Sequence, residues 1–135
     1  PQDIDRLMEL CTAVSRGSLC ALGGTAPNPV LTSLRNFRDE YDAHVNEHRC
    51  PALMCKDLIS FYIDPNKCKA CMICARNCPS EAIEGGKKMI HVVDQDRCIR
   101  CGVCLEKCPV KFSAVIKLSG EKTDVPDEPI PVGEA

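Results

Sequence analysis

Apolar residues recur at helical spacing through the first third of the chain. Ile4, Leu7, Met8, Cys11 and Val14 share one face and predict a helix over 3–15. A Gly/Ser-containing break runs from Ser15 to Gly24. Asn28-Pro29 then reads as a helix start, with Asn as N-cap and Pro in the first turn. Val30, Leu34, Phe37 and Tyr41 extend one stripe to about His48, opposite a charged face of Arg35, Arg38, Asp39, Glu40 and Asp42. Cys50-Pro51 ends this second helix, because the residue before a proline avoids the helical region.

At Asp64 the pattern changes to an internal repeat. Asp64 to Pro79 reads DPNKCKACMICARNCP, and Asp94 to Pro109 reads DQDRCIRCGVCLEKCP. Each unit predicts a short strand, a cysteine loop, a turn or two of helix and a second short strand. The candidate strands are 60–63, 82–84, 89–93 and 114–117, with Gly85-Gly86 turning the chain between halves. The second unit holds two extra residues after its proline, so Ala82 aligns with Ala114. The fold class expected is α+β: an N-terminal helical segment followed by a ferredoxin-like βαββαβ domain. The division expected is 1–49 helical, 50–59 a Cys/His joint, 60–118 the repeat domain, and 119–135 an extended acidic, Pro-rich tail with no core of its own.

Composition sharpens the picture in one respect. The 135 residues include 12 cysteines and no Trp, so the core is thin and the cysteines must brace it. Disulfides and metal sites are the two classes that use so many thiols. The net charge of -2 argues against a nucleic-acid arm or a membrane-surface patch. No apolar run approaches the roughly 20 residues of a membrane span, and no secretory signal opens the chain. The first residue is Pro1, which suggests the C-terminal part of something longer.

Each repeat carries C-x2-C-x2-C-x3-C-P. This is the bacterial ferredoxin run, in which the fourth cysteine serves the other cluster. Three thiolates on one tight loop reach three corners of a cubane, and the fourth approaches from the opposite side. One 4Fe–4S cluster is then expected on Cys68, Cys71, Cys74 and Cys108, and the other on Cys98, Cys101, Cys104 and Cys78. Disulfides fit poorly, because thiols so close on one loop are poor partners for long-loop bridges. Zinc does not account for a third cysteine at the same spacing. Lys67, Lys69, Arg76, Arg97, Arg100, Lys107 and Lys111 flank the loops and would offset the clusters' negative charge, or form an ordinary solvated face.

Cys11, Cys20, Cys50 and Cys55 remain. His44, His48, Cys50 and Cys55 form H-x3-H-x-C-x4-C, which suggests zinc at a helix end, bracing the joint between the helical part and the repeat domain. His44 and His48, four apart, are expected on one helix face. Cys11 or His48 could complete the set, although Cys11 lies on an apolar face and reads as a core thiol. His91 sits in a strand-like run and reads as a histidine with no role. No catalytic triad, phosphate loop or paired-carboxylate signal is present.

Ser18–Val30, SLCALGGTAPNPV, followed by Leu34-Arg35-Asn36-Phe37, resembles the C-terminal part of the NADH-oxidising flavoprotein subunit of respiratory complex I and of soluble NAD(P)-linked hydrogenases and formate dehydrogenases. In the soluble enzymes a C-rich stretch like CPALMC and a two-cluster ferredoxin domain follow, in the order found here. The resemblance covers about residues 5–118 and is nearest to the beta subunit of electron-bifurcating FeFe-hydrogenases. It implies that Cys20 is the fourth ligand of a further 4Fe–4S cluster whose C-x2-C-x2-C loop lies upstream. It also favours His44 over His48 at the zinc site. FMN and NAD sites are implied outside this segment, so the chain would be a non-catalytic electron-transfer part of an oxidoreductase. Implied partners are hydrogenase-type and small 2Fe–2S subunits, with ferredoxin as redox partner; the cytoplasm is expected because exposed thiolate clusters need a reducing, low-oxygen setting. Two other readings are a stand-alone two-cluster ferredoxin and a redox-silent structural metal-binding adaptor.

Overall fold

The computed structural model describes residues 2–120 and 125–133. The chain divides into two compact units, Pro1–Pro51 and Ala52–Ala135.

The first unit is helical. It contains α1 (Gln2–Gly17), α2 (Ala21–Thr25), α3 (Asn28–Asn36) and α4 (Arg38–Asn46). Ile4, Cys11, Leu34 and Ala43 are buried, so the face expected of α1 supplies core through Ile4 and Cys11, whereas Leu7 and Val14 on that face are exposed. Cys11 is accordingly a core thiol. The single helix expected from Asn28 to His48 is instead two. Phe37 leaves the helical region (φ -129°, ψ 32°) and serves as the N-cap of α4. Arg38-Asp39-Glu40 explains the break, because two acids in a first turn suit the positive end of a new helix dipole. The apolar stripe is broken with it: Leu34 is buried, whereas Phe37 and Tyr41 are exposed. Arg38 ties α4 to α1 through Asp5 at 2.9 Å and reaches Asp42 at 3.3 Å. Both pairs face solvent and contribute little to stability.

The second unit is α+β. A single 3-10 turn (Lys56–Leu58) leads into β1 (Ile59–Ile63), followed by α5 (Ile73–Arg76), β2 (Ile83–Glu84), β3 (Val92–Val93), α6 (Val103–Lys107) and β4 (Val115–Ser119). This is the expected βαββαβ order. β1 pairs antiparallel with β4 in the register Ile59↔Ser119 to Ile63↔Val115, and β2 pairs antiparallel with β3. Alternation along β1 turns Ile59, Phe61 and Ile63 inward. They pack with Ile83, Ile90, Val93, Ala114 and Val115 around Cys68, Cys74 and Cys104.

The sequence repeat is also a repeat of backbone devices. Asp64 N donates to Ala114 O at 2.7 Å, and Asp94 N to Ala82 O at 2.8 Å. The Asp64 carboxylate accepts from Asn66 N, and that of Asp94 from Asp96 N, both at 2.9 Å. These Asx turns launch both cysteine loops. Left-handed residues recur in register: Ala70 with Arg100, Met72 with Gly102, and Glu81 with Ser113. Gly102 (φ 82°) begins α6 at no steric cost, whereas Met72 (φ 63°) begins α5 under strain.

The tail departs from expectation within the described residues. Ile130 O accepts from Ile90 N at 2.7 Å, Val132 N donates to Lys88 O at 3.0 Å, and Ile130 packs on the core. Pro131 forms an antiparallel bridge with Met89, so this stretch makes an additional edge of the second unit. Residues 121–124 and 134–135 of the expected tail lie outside the described residues.

Candidate metal centres

The eight cysteines of the two repeated motifs are present as free thiols, so no disulfide competes for them. In the first loop Cys68 and Cys74 are buried and Cys71 is exposed. In the second, Cys104 is buried, Cys98 half-buried and Cys101 exposed. Burial pushes the Cys74 thiol up to about 12, with the neighbouring Cys68, Cys71 and Cys104 adding like-charge repulsion. Burial likewise pushes Cys104 up to about 11, with Cys98 and Cys101 beside it. Three thiolates crowded together are tolerable only when cations replace their protons, which is the donor chemistry of a metal cluster.

The fourth cysteine of each motif has a different setting. Cys78 Sγ accepts from Ala82 N at 3.3 Å and contacts Ser80 Oγ at 3.6 Å. Burial alone would raise its pKa, but the Ser80 hydroxyl and the surrounding amides outweigh it and hold Cys78 below the usual thiol range. Cys108 Sγ accepts from Ala114 N at 3.4 Å, the matching bond in the other half. Cys78 lines one cavity with Cys98, Cys101 and Cys104, the loop of the opposite repeat. Arg100 Nε, within that second loop, is buried with no hydrogen-bond partner among the described residues. It is a donor left over for an acceptor that no side chain supplies.

The flanking cations are less available than the sequence suggests. Lys67 pairs with Asp64 at 3.2 Å, and Arg97 pairs with Asp94 at 2.9 Å and Glu84 at 3.1 Å. Two of the seven are thus engaged by the acids that shape the loops.

His44, Cys50 and Cys55 present ligand atoms within 4.8 Å of one another, along one short stretch of chain. His44 Nδ1 lies 2.7 Å from Glu40 O, which fixes the tautomer as Nδ1–H donating to that carbonyl. This bond and a side-chain hydrogen bond with Cys50 raise the His44 pKa. His48 is not part of the group. Helix α4 stops at Asn46, and His48 adopts a left-handed conformation (φ 49°) that takes it off the helical face. Cys11 is not part of it either.

Cys20 is exposed. It caps α2, its Sγ accepting from Gly23 N at 3.5 Å. His91, read from sequence as having no role, is 1% exposed and sits 4.0 Å from Cys68 Sγ. The signal that could have found it is the repeat itself, because His91 occupies the position that Phe61 holds in the other half.

The fold and the cysteine loops suit a duplicated iron–sulfur binding domain. Residues 1–44 match the NADH-ubiquinone oxidoreductase-F iron-sulfur binding region, and residues 61–118 match the 4Fe-4S dicluster domain. The chain is the counterpart of the C-terminal part of the flavoprotein subunit in that family. It is 47% identical over 89 residues to the NADP-reducing hydrogenase subunit HndC of Solidesulfovibrio fructosivorans, covering 66% of this chain and 18% of HndC. It is 46% identical over 50 residues to the F subunit of the NADH-quinone oxidoreductase of Mycobacterium tuberculosis, covering 37% of this chain and 11% of that relative. Against the NAD-reducing hydrogenase HoxS subunit alpha of Cupriavidus necator the values are 37% over 57 residues, 42% and 10%. The chain thus spans less than a fifth of each of these relatives. Among the described residues no helix is long and apolar enough to cross a membrane.

Proposed function

We propose that this chain is the electron-transfer segment of an NAD(P)H-linked oxidoreductase complex. It passes single electrons between a flavin site elsewhere in the complex and ferredoxin or a hydrogenase-type or other iron–sulfur subunit, in the cytoplasm. The observation that carries this reading is the pairing of two free-thiol loops with a crossing cysteine, Cys78 lining the cavity of the opposite loop. One 4Fe–4S cluster is held by Cys68, Cys71, Cys74 and Cys108, and a second by Cys98, Cys101, Cys104 and Cys78. Each supplies a one-electron redox centre when bound. The left-handed residues at 70, 72, 100 and 102 bend each loop so that three sulfurs can converge. The amides of Ala82 and Ala114 hold the crossing thiolates.

Cys20, exposed on α2, is the fourth ligand of a further 4Fe–4S cluster whose other ligands lie outside this chain. His44, Cys50 and Cys55 bind zinc, with His44 oriented by Glu40 O as metal-bound imidazoles usually are.

The test is anaerobic purification of the full protein, followed by iron, sulfide and zinc analysis and EPR after reduction. The two motifs are expected to contribute about eight irons and about eight sulfides, with one zinc that His44→Ala removes. Zinc without iron, and no absorption in the visible, would instead make the chain a redox-silent adaptor.

A further inference from the structure

The two halves of the repeat differ at one buried position beside the cysteine loops. Phe61 precedes the first loop and faces the second: a Cβ placed on Gly102 would lie 3.6 Å from Phe61 Cζ, and Phe61 lines the cavity of Cys78, Cys98 and Cys101. Thirty positions on, His91 precedes the second loop and faces the first. His91 Nε2 lies 3.1 Å from Met72 Sδ, Met72 being the counterpart of Gly102, and His91 Nδ1 lies 4.0 Å from Cys68 Sγ. An apolar ring guards one site and an imidazole guards the other.

The imidazole is seated, not loosely placed. His91 is 1% exposed, and its ring lies so close to Gly85 that a Cβ there would come within 2.8 Å of His91 Cδ2. Each ring nitrogen faces a sulfur, and a ring nitrogen that carries a proton can donate to the sulfur it faces. As a cluster ligand, Cys68 is a thiolate with no proton to offer, so the ring can approach it favourably only with Nδ1 protonated.

We propose that His91 Nδ1–H donates a hydrogen bond to the Cys68 thiolate, and that this bond sets the cluster on Cys68, Cys71, Cys74 and Cys108 at a higher potential than it would otherwise have. This inference rests on the two-cluster reading given above. Reduction adds negative charge that is shared with the cysteine sulfurs, and a donor aimed at one of them stabilises the reduced form. Phe61 offers the other cluster no such donor. The chain therefore separates the potentials of two otherwise repeated sites with a single side chain, giving the electron a direction through the domain.

The experiment is an EPR-monitored redox titration of the holoprotein and two variants. His91→Phe copies the residue at the equivalent position. It is expected to lower one cluster's midpoint by about 59 mV, a tenfold change in the reduced-to-oxidised ratio for one electron, and to leave the other in place. His91→Asn puts an amide nitrogen where Nδ1 stood and is expected to recover most of the shift. An unchanged midpoint in His91→Phe, or equal midpoints in the Phe and Asn variants, would overturn the proposal. Should either variant fail to load, pulsed EPR on reduced wild-type protein carrying 15N-histidine decides. A 15N coupling to one cluster supports the bond, and its absence refutes it. Iron and sulfide counts on the same wild-type sample separate this failure from that of the two-cluster reading, since only the latter is contradicted by missing iron.

Discussion

Cys78 belongs to the first cysteine motif by sequence and to the second loop by its cavity. Removing it should therefore deplete the cluster of the second loop. Cys78→Ala is expected to cut iron from about eight to about four per pair of motifs. Adding Cys101→Ala should remove nothing more, because Cys101 serves the cluster already lost. Adding Cys71→Ala instead should take the remaining iron. Cys71 and Cys101 are both exposed, so neither second change disturbs the core. The apoprotein offers an independent magnitude. Ala82 is 0% exposed, and its amide donates to Cys78 Sγ at 3.3 Å. Cys78→Ala strands that donor at a cost of about 1–3 kcal/mol, whereas Cys78→Ser keeps an acceptor. With about 4–8 °C per kcal/mol for a domain of this size, the metal-free Ala variant should melt several degrees below the metal-free Ser variant. Iron analysis and calorimetry are the assays. If Cys78→Ala with Cys101→Ala lost all iron while Cys78→Ala with Cys71→Ala kept half, each motif would close on itself and the crossing would be wrong.

Two further outcomes follow from the loops. Gly102→Ala meets only ordinary contact at Phe61, so it should cost roughly 1 kcal/mol of left-handed strain and keep its iron, as Met72 tolerates the same conformation; urea unfolding with metal analysis measures both, and iron loss would show that the loop needs glycine. The Asp94 carboxyl is held below its usual range by the amides of Arg97 and Asp96. A pKa depressed in the fold contributes stability above the unfolded value of about 3.9, and that contribution is lost as pH falls through the folded value. Asp94→Asn should flatten the acid limb of the melting temperature below about pH 4; an unchanged limb would show that the Asx turn is not what acid breaks.

The second unit was legible because its sequence repeats. Asp64/Asp94, the cysteines and Pro79/Pro109 recur at one offset, and the element order follows from it. What escaped was set by contacts distant in sequence or by competition at a helix end. The Cys68–His91 contact joins residues 23 apart, and only an alignment of the two repeats points to it. The pairing of Ile130 with Ile90 is as remote, and prolines on either side made the segment look unstructured. The break at Phe37 turns on Asp39 and Glu40, which the pattern places on an outer face and which open a new helix. His48 left the expected face because Arg49 N closes on Ala43 O, which ends the helix early. At the His44 group, spacing found three residues that the fold brings together, while orientation by Glu40 O is visible only in three dimensions.

The pairing of Ile59 with Ser119 has a consequence of its own. Antiparallel partners lie about 5 Å apart, so the chain enters and leaves the duplicated domain through the same doorway. A module with such adjoining ends can be spliced into a surface loop, or appended to a host, without prying the host's own termini apart. Portability of this kind belongs to the geometry of the first and last strands, and iron has no part in it.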